Sequence, residues 1–455
     1  MKALRLGVTT QTPLIRFGNE PYALVPNIGV HGRAIQIQQG QFDLSPGGVS
    51  RMVLQSLREW HRRGFLREAH WFSLQPSGPE NVSLPEYGID VHHLRLPDAD
   101  MKRYARVKEK LWADIHGLES PPFDTEDFRF YARYNWTTGD AVMARAPDLD
   151  AVYVHDFQLL QVGAMVGLTA PSVLRWHVPF HREKIPAYTR NFIVRLMEDF
   201  DGVIVSTRRD LQNLTNSGFR GTVLQQYPHT DLQDWPTPSK EDVAAFEAKA
   251  GLDPDTPVVL CVARMDPIKR HDVLLRAMAR IRHKHPEAVA VFVGNGSFSA
   301  NPKAGLGLGK ATLWREKLEE QTRELGLQGN VVFTGWVPDR IVTAAYQRAS
   351  VLVLPSDIEG FGLTTYEAWA YRKPAVISSG CGSAEIVQDG LSGYTFEPED
   401  DQQLANHLDH LLSKREFAER MGEAGNMALQ NYTVKTAAPR IFDFIQDAIA
   451  RSRRR

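Results

Sequence analysis

Twice along this chain, short β-branched runs alternate with longer stretches of helical spacing, and that alternation limits the fold more than any other feature. In the first half the runs are Leu4–Thr9, His70–Leu74, Ala151–Val154, Ser172–Trp176 and Gly202–Val205. In the second they are Val258–Val262, Ala288–Val293, Val331–Thr334, Val351–Leu354 and Ala375–Ser378. Apolar runs separated by helices are the pattern of parallel strands buried on both faces. Each half therefore reads as an open α/β unit with a parallel sheet flanked by helices.

The length agrees with two units, since 455 residues exceed the ~250–300 at which a single core stops growing. From Tyr227-Pro228-His229 to Thr237-Pro238-Ser239, with Pro236 as a third proline, no periodicity survives, and this stretch reads as a linker. Ser239-Lys240-Glu241-Asp242 before an Ala-rich run signals a helix start. The expected division is a first domain over 1–235, a second over 236–430, and a last helix over 431–455 packing back toward the first. Asn301 to Lys310 is Gly-rich and poor in apolar residues, and reads as a mobile loop.

Composition excludes several classes. With 43% hydrophobic and 24% charged residues the chain is of ordinary globular type, and no apolar run approaches the ~18 residues of a membrane span. Arg5 interrupts what would be the core of a leader, so Leu4 onward reads as a first strand and a cytoplasmic location is expected. Cys261 and Cys381 are the only cysteines, too few for a disulfide framework or a cysteine-rich metal site. No acidic metal motif accompanies them, so no metal and no cofactor are expected. A formal net charge of -1 gives no field to draw the chain to nucleic acid. The basic segments Lys102 to Lys110 and Arg451 to Arg455 read as solvated faces rather than as membrane contacts.

Three glycine-rich loops invite a phosphate reading. "AGLGLG" before Lys310 fails as a P-loop, because Ala304 replaces the first glycine and Ala311 the magnesium-binding hydroxyl. Gly294-Asn295-Gly296 closes a strand, but Ser299 stands where a dinucleotide fingerprint has its third glycine, which disfavours a dehydrogenase. Its place after a strand still suits a nucleotide. Gly47-Gly48 precedes a helical pattern with Met52, Val53, Leu57 and Trp60 on one face. It is either a turn or a place where a phosphate approaches the positive end of a helix.

The charged residues are more specific. Arg264 follows the strand Val258–Val262, and Lys269 lies across a proline turn from it, so the two either converge on one point beyond the sheet edge or stand apart as solvated loop cations. A planar guanidinium and a mobile ammonium together suit a diphosphate. Glu359 and the turn Gly360-Phe361-Gly362 follow the strand Val351–Leu354, and a helix begins at about Leu363. Its free N–H groups favour a phosphate. Glu367, about one turn into that helix, suits a vicinal diol such as ribose O2′ and O3′, while Glu359 is free to face a second polyol.

Glu359-Gly360-Phe361-Gly362, the seven residues between the glutamates, Ala368, Ala370, Pro374, Gly382, Glu385-Ile386-Val387 and Asp389-Gly390 together resemble the retaining glycosyltransferases of family 4. The match is loose up to about Gly202 and tight from Val258 to Asp400. It implies the GT-B fold, two Rossmann-like doubly wound parallel-sheet domains facing across a cleft. It also implies a nucleotide-sugar donor held mainly by the second domain and a small-molecule acceptor by the first. On this resemblance Arg264 and Lys269 are the diphosphate clamp, Glu359 contacts the transferred sugar, and Glu367 binds the ribose. Gly47, Gly48, Gly294, Gly296, Gly360, Phe361, Gly362 and Leu363 line the donor, and His177 stands near the sugar.

The reaction so implied is a retaining hexosyl transfer by front-face attack, the departing phosphate taking the acceptor proton. His155-Asp156-Phe157-Gln158-Leu159-Leu160 and Trp176-His177 are also similar to the trehalose glycosyltransferring synthases, which favours a small soluble sugar or polyol as acceptor. The alternatives are a sugar-nucleotide 2-epimerase and a non-catalytic nucleotide-sugar sensor. Arg372 departs from the family, which has glycine there, and either strains the helix end or ends it differently. Cys381 and Ser383 alter the loop after Ser378, and insertions at Gln11–Phe42 and Ser299–Lys310 alter the acceptor side.

Overall fold

A computed structural model describes residues 3–17, 35–36, 42–45, 47–75, 78–295 and 308–452. The chain forms two compact units, one of Met1–His229 with Val434–Arg455 and one of Thr230–Thr433. The crossing falls inside the proline-rich stretch, at His229 to Thr230.

In the first unit the strands are β1 (Leu4–Thr10), β2 (Ile15–Arg16), β3 (Ile35–Gln36), β4 (Asp43–Leu44), β5 (Leu66–Leu74) and β6 (Asn81–Leu84). They continue with β7 (Ile89–Leu94), β8 (Ala151–His155), β9 (Ser172–Arg175), β10 (Gly202–Val205) and β11 (Val223–Gln225). Nine of them make one sheet in the order β11-β10-β9-β8-β1-β5-β7-β6-β3. All its pairs are parallel except β6 with β7. The chain leaves β1 toward β5 and then returns to β8 on the other side, so strand order reverses between β1 and β8.

Strand β5 begins at Leu66 rather than at His70, because Leu66 pairs with Leu4 of β1. No expected run covers β7. Its polar residues Asp90, His92 and His93 hide it from a hydrophobicity reading, yet both histidines are buried in the sheet. The helix Gly48–Arg62 buries Met52, Val53, Leu57 and Trp60. Against it lies the helix Val434–Ser452 of the same unit, with Trp60 Nε1 donating to Ala438 O at 2.7 Å and Phe65 stacked on Phe442.

The second unit has β12 (Val258–Val262), β13 (Val289–Val293), β14 (Val331–Gly335), β15 (Val351–Leu354), β16 (Ala375–Ser378) and β17 (Gly393–Phe396). Their order is β14-β13-β12-β15-β16-β17, all parallel. Here the order reverses between β12 and β15. Ser239 caps the opening helix Lys240–Ala250 by accepting the Asp242 N–H. Cys261 and Cys381 are buried free thiols.

One expectation is corrected. Leu308 to Lys310, read as the end of a mobile loop, begin the helix Leu308–Glu324, where the following Ala-Thr-Leu-Trp sequence extends the helical pattern backward. Residues 301–307 of that loop, and most of the insertion Gln11–Phe42, lie outside the described residues.

Candidate functional site

In open α/β sheets ligands bind beyond the carboxyl ends of the strands, where strand order reverses. In the second unit that place lies between β12 and β15, and the charged residues stand there. After β12, the Ala263 N–H continues the ladder to Val293 O at 3.0 Å. Asp266 then caps the short turn Pro267–Lys269 by accepting the Ile268 N–H at 3.2 Å, while its carboxylate lies 3.7 Å from the Arg264 guanidinium. That turn delivers the Lys269 ammonium to the Glu359 carboxylate, with which it forms a hydrogen-bonded ion pair.

The two loops are also joined through their backbones, Asp357 N–H donating to Ile268 O at 3.0 Å. Glu359 accepts a second hydrogen bond from Ser356 Oγ at 3.2 Å. Its own backbone exchanges bonds with the loop after β16, to Gly380 O and from the Gly382 N–H. Burial pushes the Glu359 carboxyl up, but the Lys269 ammonium and then the Arg264 guanidinium outweigh it and hold the group below its ordinary value. It is a carboxylate at neutral pH.

Two glycines are dictated by this packing. Gly294 has φ 135°, and a Cβ there would lie 2.1 Å from Ala263 O. Only glycine lets the loop after β13 lie so close that Asn295 O accepts the Met265 N–H at 3.1 Å. Gly362 has φ 97°, with a Cβ only 2.5 Å from a Leu354 methyl, and permits the turn from Gly360-Phe361 into the helix. Gly296 lies outside the described residues.

That helix is Thr364–Ala370, with Leu363 at its cap position and Phe361 buried against Tyr366. Glu367, in its first turn, accepts a hydrogen bond from the hydroxyl of Tyr346, a fully buried residue of the helix Asp339–Arg348. Burial, then the charge of Glu367, pushes the Tyr346 phenol well above its ordinary value, so it stays a donor. The helix ends on Arg372 at φ 56°, a left-handed position that favours glycine. Its strain is real, and the Lys373 N–H still returns to Ala368 O at 2.9 Å.

The first unit gathers a different set. His155 ends β8, and His177 follows β9. Their rings lie 5.2 Å apart at 22°, with His155 Nδ1 and His177 Nε2 sharing a hydrogen bond of 2.9 Å. Asp156, at φ 72° and ψ 174°, sits in a region all but reserved for glycine. There its carboxyl accepts the His177 N–H at 3.2 Å. Burial raises that carboxyl to about 7 against the backbone hydrogen bonds it accepts. Burial likewise lowers both imidazoles well below their ordinary value, for His177 with help from His155, Arg175 and His229.

Gly47 caps the helix Gly48–Arg62 with no side-chain cap and no acidic residue in the first turn. A Cβ at Gly47 would meet only a Thr12 methyl at 3.5 Å, so packing does not itself require glycine there.

The structure thus brings Arg264, Lys269, Glu359 and Gly294 onto interlocked loops, with Gly360 to Leu363 and Glu367 continuing from the same strand end. His177, Gly47 and Gly48 belong to the other unit. Sequence reasoning passed over Tyr346, which reads as one more buried aromatic at helical spacing, and Asp266. The Asp-Pro pair at Asp266 was a legible capping signal. Among the described residues no group of three His, Cys, Asp or Glu is arranged to hold a metal ion, and no helix is long and apolar enough to cross a membrane.

Residues 242–427 match the family model for glycosyl transferases group 1. A GDP-mannose-dependent alpha-(1-6)-phosphatidylinositol monomannoside mannosyltransferase of Mycolicibacterium smegmatis is 27% identical over 56% of this chain and 65% of its own length. A D-inositol 3-phosphate glycosyltransferase of Stackebrandtia nassauensis is 25% identical over 89% of this chain and 88% of its own. The D-inositol 3-phosphate glycosyltransferases of Streptomyces griseus and Nocardia farcinica match over only 43% and 38% of their own length. Among solved structures, a trehalose-6-phosphate synthase superposes with a TM-score of 0.76 over 97% of this chain and 99% of its own, at 16% identity. The fold of the chain is GT-B.

Proposed function

We propose that this protein is a retaining glycosyltransferase of family 4 that moves a hexose from a nucleotide-diphosphate sugar to a hydroxyl of a small sugar or polyol. One observation carries the reading. Arg264 and Lys269 at the end of β12, and Glu359 and Glu367 beyond β15, meet at the reversal point of a parallel sheet, in loops tied by the Lys269–Glu359 pair. The names of the relatives support a nucleotide-sugar donor, and those that act on inositol phosphate or form trehalose phosphate support a polyol acceptor.

In this reading the bond between the sugar C1 and the diphosphate oxygen breaks as negative charge grows on the phosphate. Arg264 and Lys269 are already in place to receive that charge, so little reorganisation is needed. The acceptor oxygen bonds to C1 on the face the phosphate leaves, and its proton passes to a phosphate oxygen. Glu359, neutralised by Lys269 and hydrogen-bonded by Ser356, is a poor nucleophile, which supports front-face attack over a covalent intermediate. Glu359 instead accepts hydroxyls of the transferred sugar and Glu367 those of the ribose, and His177 is the family's candidate for a further hydroxyl contact. No metal takes part in this scheme, and catalysis is expected to persist in a chelator.

A thermal-shift screen with UDP, GDP and ADP and their glucose, mannose and N-acetylglucosamine conjugates tests the donor. One nucleotide at 100 times its dissociation constant should add about 2.7 kcal/mol of stability, and Glu367→Ala should weaken that response. With the donor known, the anomeric configuration of the product tests retention. No response to any nucleotide, or an inverted product, overturns the corresponding part of the reading.

A further inference from the structure

Tyr346 is buried beyond reach of solvent, yet its hydroxyl points at a half-buried carboxylate that the proposed function assigns to the ligand. A buried phenol needs one acceptor, and a backbone carbonyl would serve. Here the acceptor is Glu367, reached from a different helix. The ring is held on two sides. Tyr371 lies parallel to it at 2° and 6.0 Å, and Trp235 meets it edge-on at 6.3 Å. Tyr371 is itself tied by its hydroxyl to Pro236 O at 2.8 Å. The donor therefore has one position, and it fixes one oxygen of Glu367.

We infer that Tyr346 is a positioning residue for donor recognition: by holding Glu367 Oε2, it orients the carboxylate toward the two ribose hydroxyls of a nucleoside diphosphate. A carboxylate has about four lone-pair sites. The phenol takes one, and a preorientated group loses less freedom when it binds. The inference rests on the reading that Glu367 binds the ribose, and it assigns the discrimination between ribose and deoxyribose to the Tyr346–Glu367 pair.

The test measures the binding of UDP, GDP or ADP, whichever the wild type prefers, against its 2′,3′-dideoxy analogue by calorimetry. Wild type should favour the ribose form by about tenfold or more, and Tyr346→Phe should cut that preference about fivefold while leaving the dideoxy affinity unchanged. An equal loss for both ligands, or an unchanged ratio, overturns the inference. A double-variant cycle gives a readout that a structural role would not move. In the Glu367→Ala background there is no carboxylate to orient, so adding Tyr346→Phe should leave the ratio where Glu367→Ala puts it, and a further fall there overturns the inference. Should Tyr346→Phe fail to fold, Tyr371→Phe, which releases the neighbouring ring from Pro236 O, decides in its place: the ribose preference should fall, and an unchanged ratio overturns the inference. If Glu367→Ala leaves the ratio intact, the ribose reading itself fails, and the inference with it.

Discussion

The two units carry their candidate residues at equivalent places, the carboxyl ends of strands beside a reversal of strand order, but in opposite electrostatic styles. In the second unit the groups are ionised and paired, Lys269 with Glu359 and Arg264 with Asp266. In the first they are imidazoles that burial keeps neutral, His155 hydrogen-bonded to His177, with a carboxyl whose proton is retained to about pH 7. Paired charges suit a ligand that arrives with its own charge, such as a diphosphate. Neutral rings suit hydroxyl groups, which ask for directed hydrogen bonds and no net field.

The largest expected effect breaks the charged side. Lys269→Met should lower transfer a hundred- to a thousandfold. It should also cost about 2 kcal/mol of stability, because Glu359 is left half-buried without its partner. His177→Ala removes neutral hydrogen bonding and should cost only about tenfold. Steady-state rates of nucleotide release compare the two, and equal losses would dissolve the contrast between the units.

Acid should separate the units in the other order. Among the described residues of the first unit, seven histidines are held below their ordinary value, chiefly by burial: His70, His92, His93, His155, His177, His181 and His229. In the second unit His271 and His407 are. A group whose folded pKa is depressed binds its proton more readily when unfolded. Its stability contribution is therefore present above about pH 6.5 and is lost as pH falls toward the folded value, about 3 for His92, His181 and His229. Asp156 runs the opposite way, its contribution being lost as pH rises toward 7, but it is one carboxyl against seven rings. Hydrogen exchange followed from pH 7 to 4 should show amides of β7 to β10 opening before those of β12 to β16. Simultaneous opening would contradict the assignment of these rings as neutral and buried.

The smallest effect concerns strain. Arg372 and Asp156 both occupy positive φ, but the Asp156 side chain is held there by a buried bond, its carboxyl accepting the His177 N–H. The Arg372 guanidinium makes an exposed pair with Glu423 at 3.3 Å, of a kind worth little. Arg372→Gly should therefore raise stability by about 1 kcal/mol, and Asp156→Gly should lower it despite relieving the backbone. Melting temperatures of the two variants decide the point.

Local sequence alone located β1, β5, β8 to β10 and β12 to β16, and where the charged loops follow them. The runs at Gly202–Val205, Val258–Val262, Val351–Leu354 and Ala375–Ser378 have the bounds read from composition, because a strand buried on both faces must be apolar throughout. The motif around Glu359 and Glu367 was legible through a resemblance, the Glu-Gly-Phe-Gly turn and the seven residues between the glutamates being similar to those of family 4. What only the tertiary structure decided lies in contacts between distant segments. Strand β7 carries histidines that look like surface residues until the sheet closes over them. The Lys269–Glu359 pair joins residues 90 positions apart and Tyr346–Glu367 residues 21 apart. Nothing in the sequence around Tyr346 announces that its hydroxyl has a carboxylate to meet. Hydrophobic pattern is a local property read along one element, whereas the orientation of a charge is set by the partner that folding brings to it.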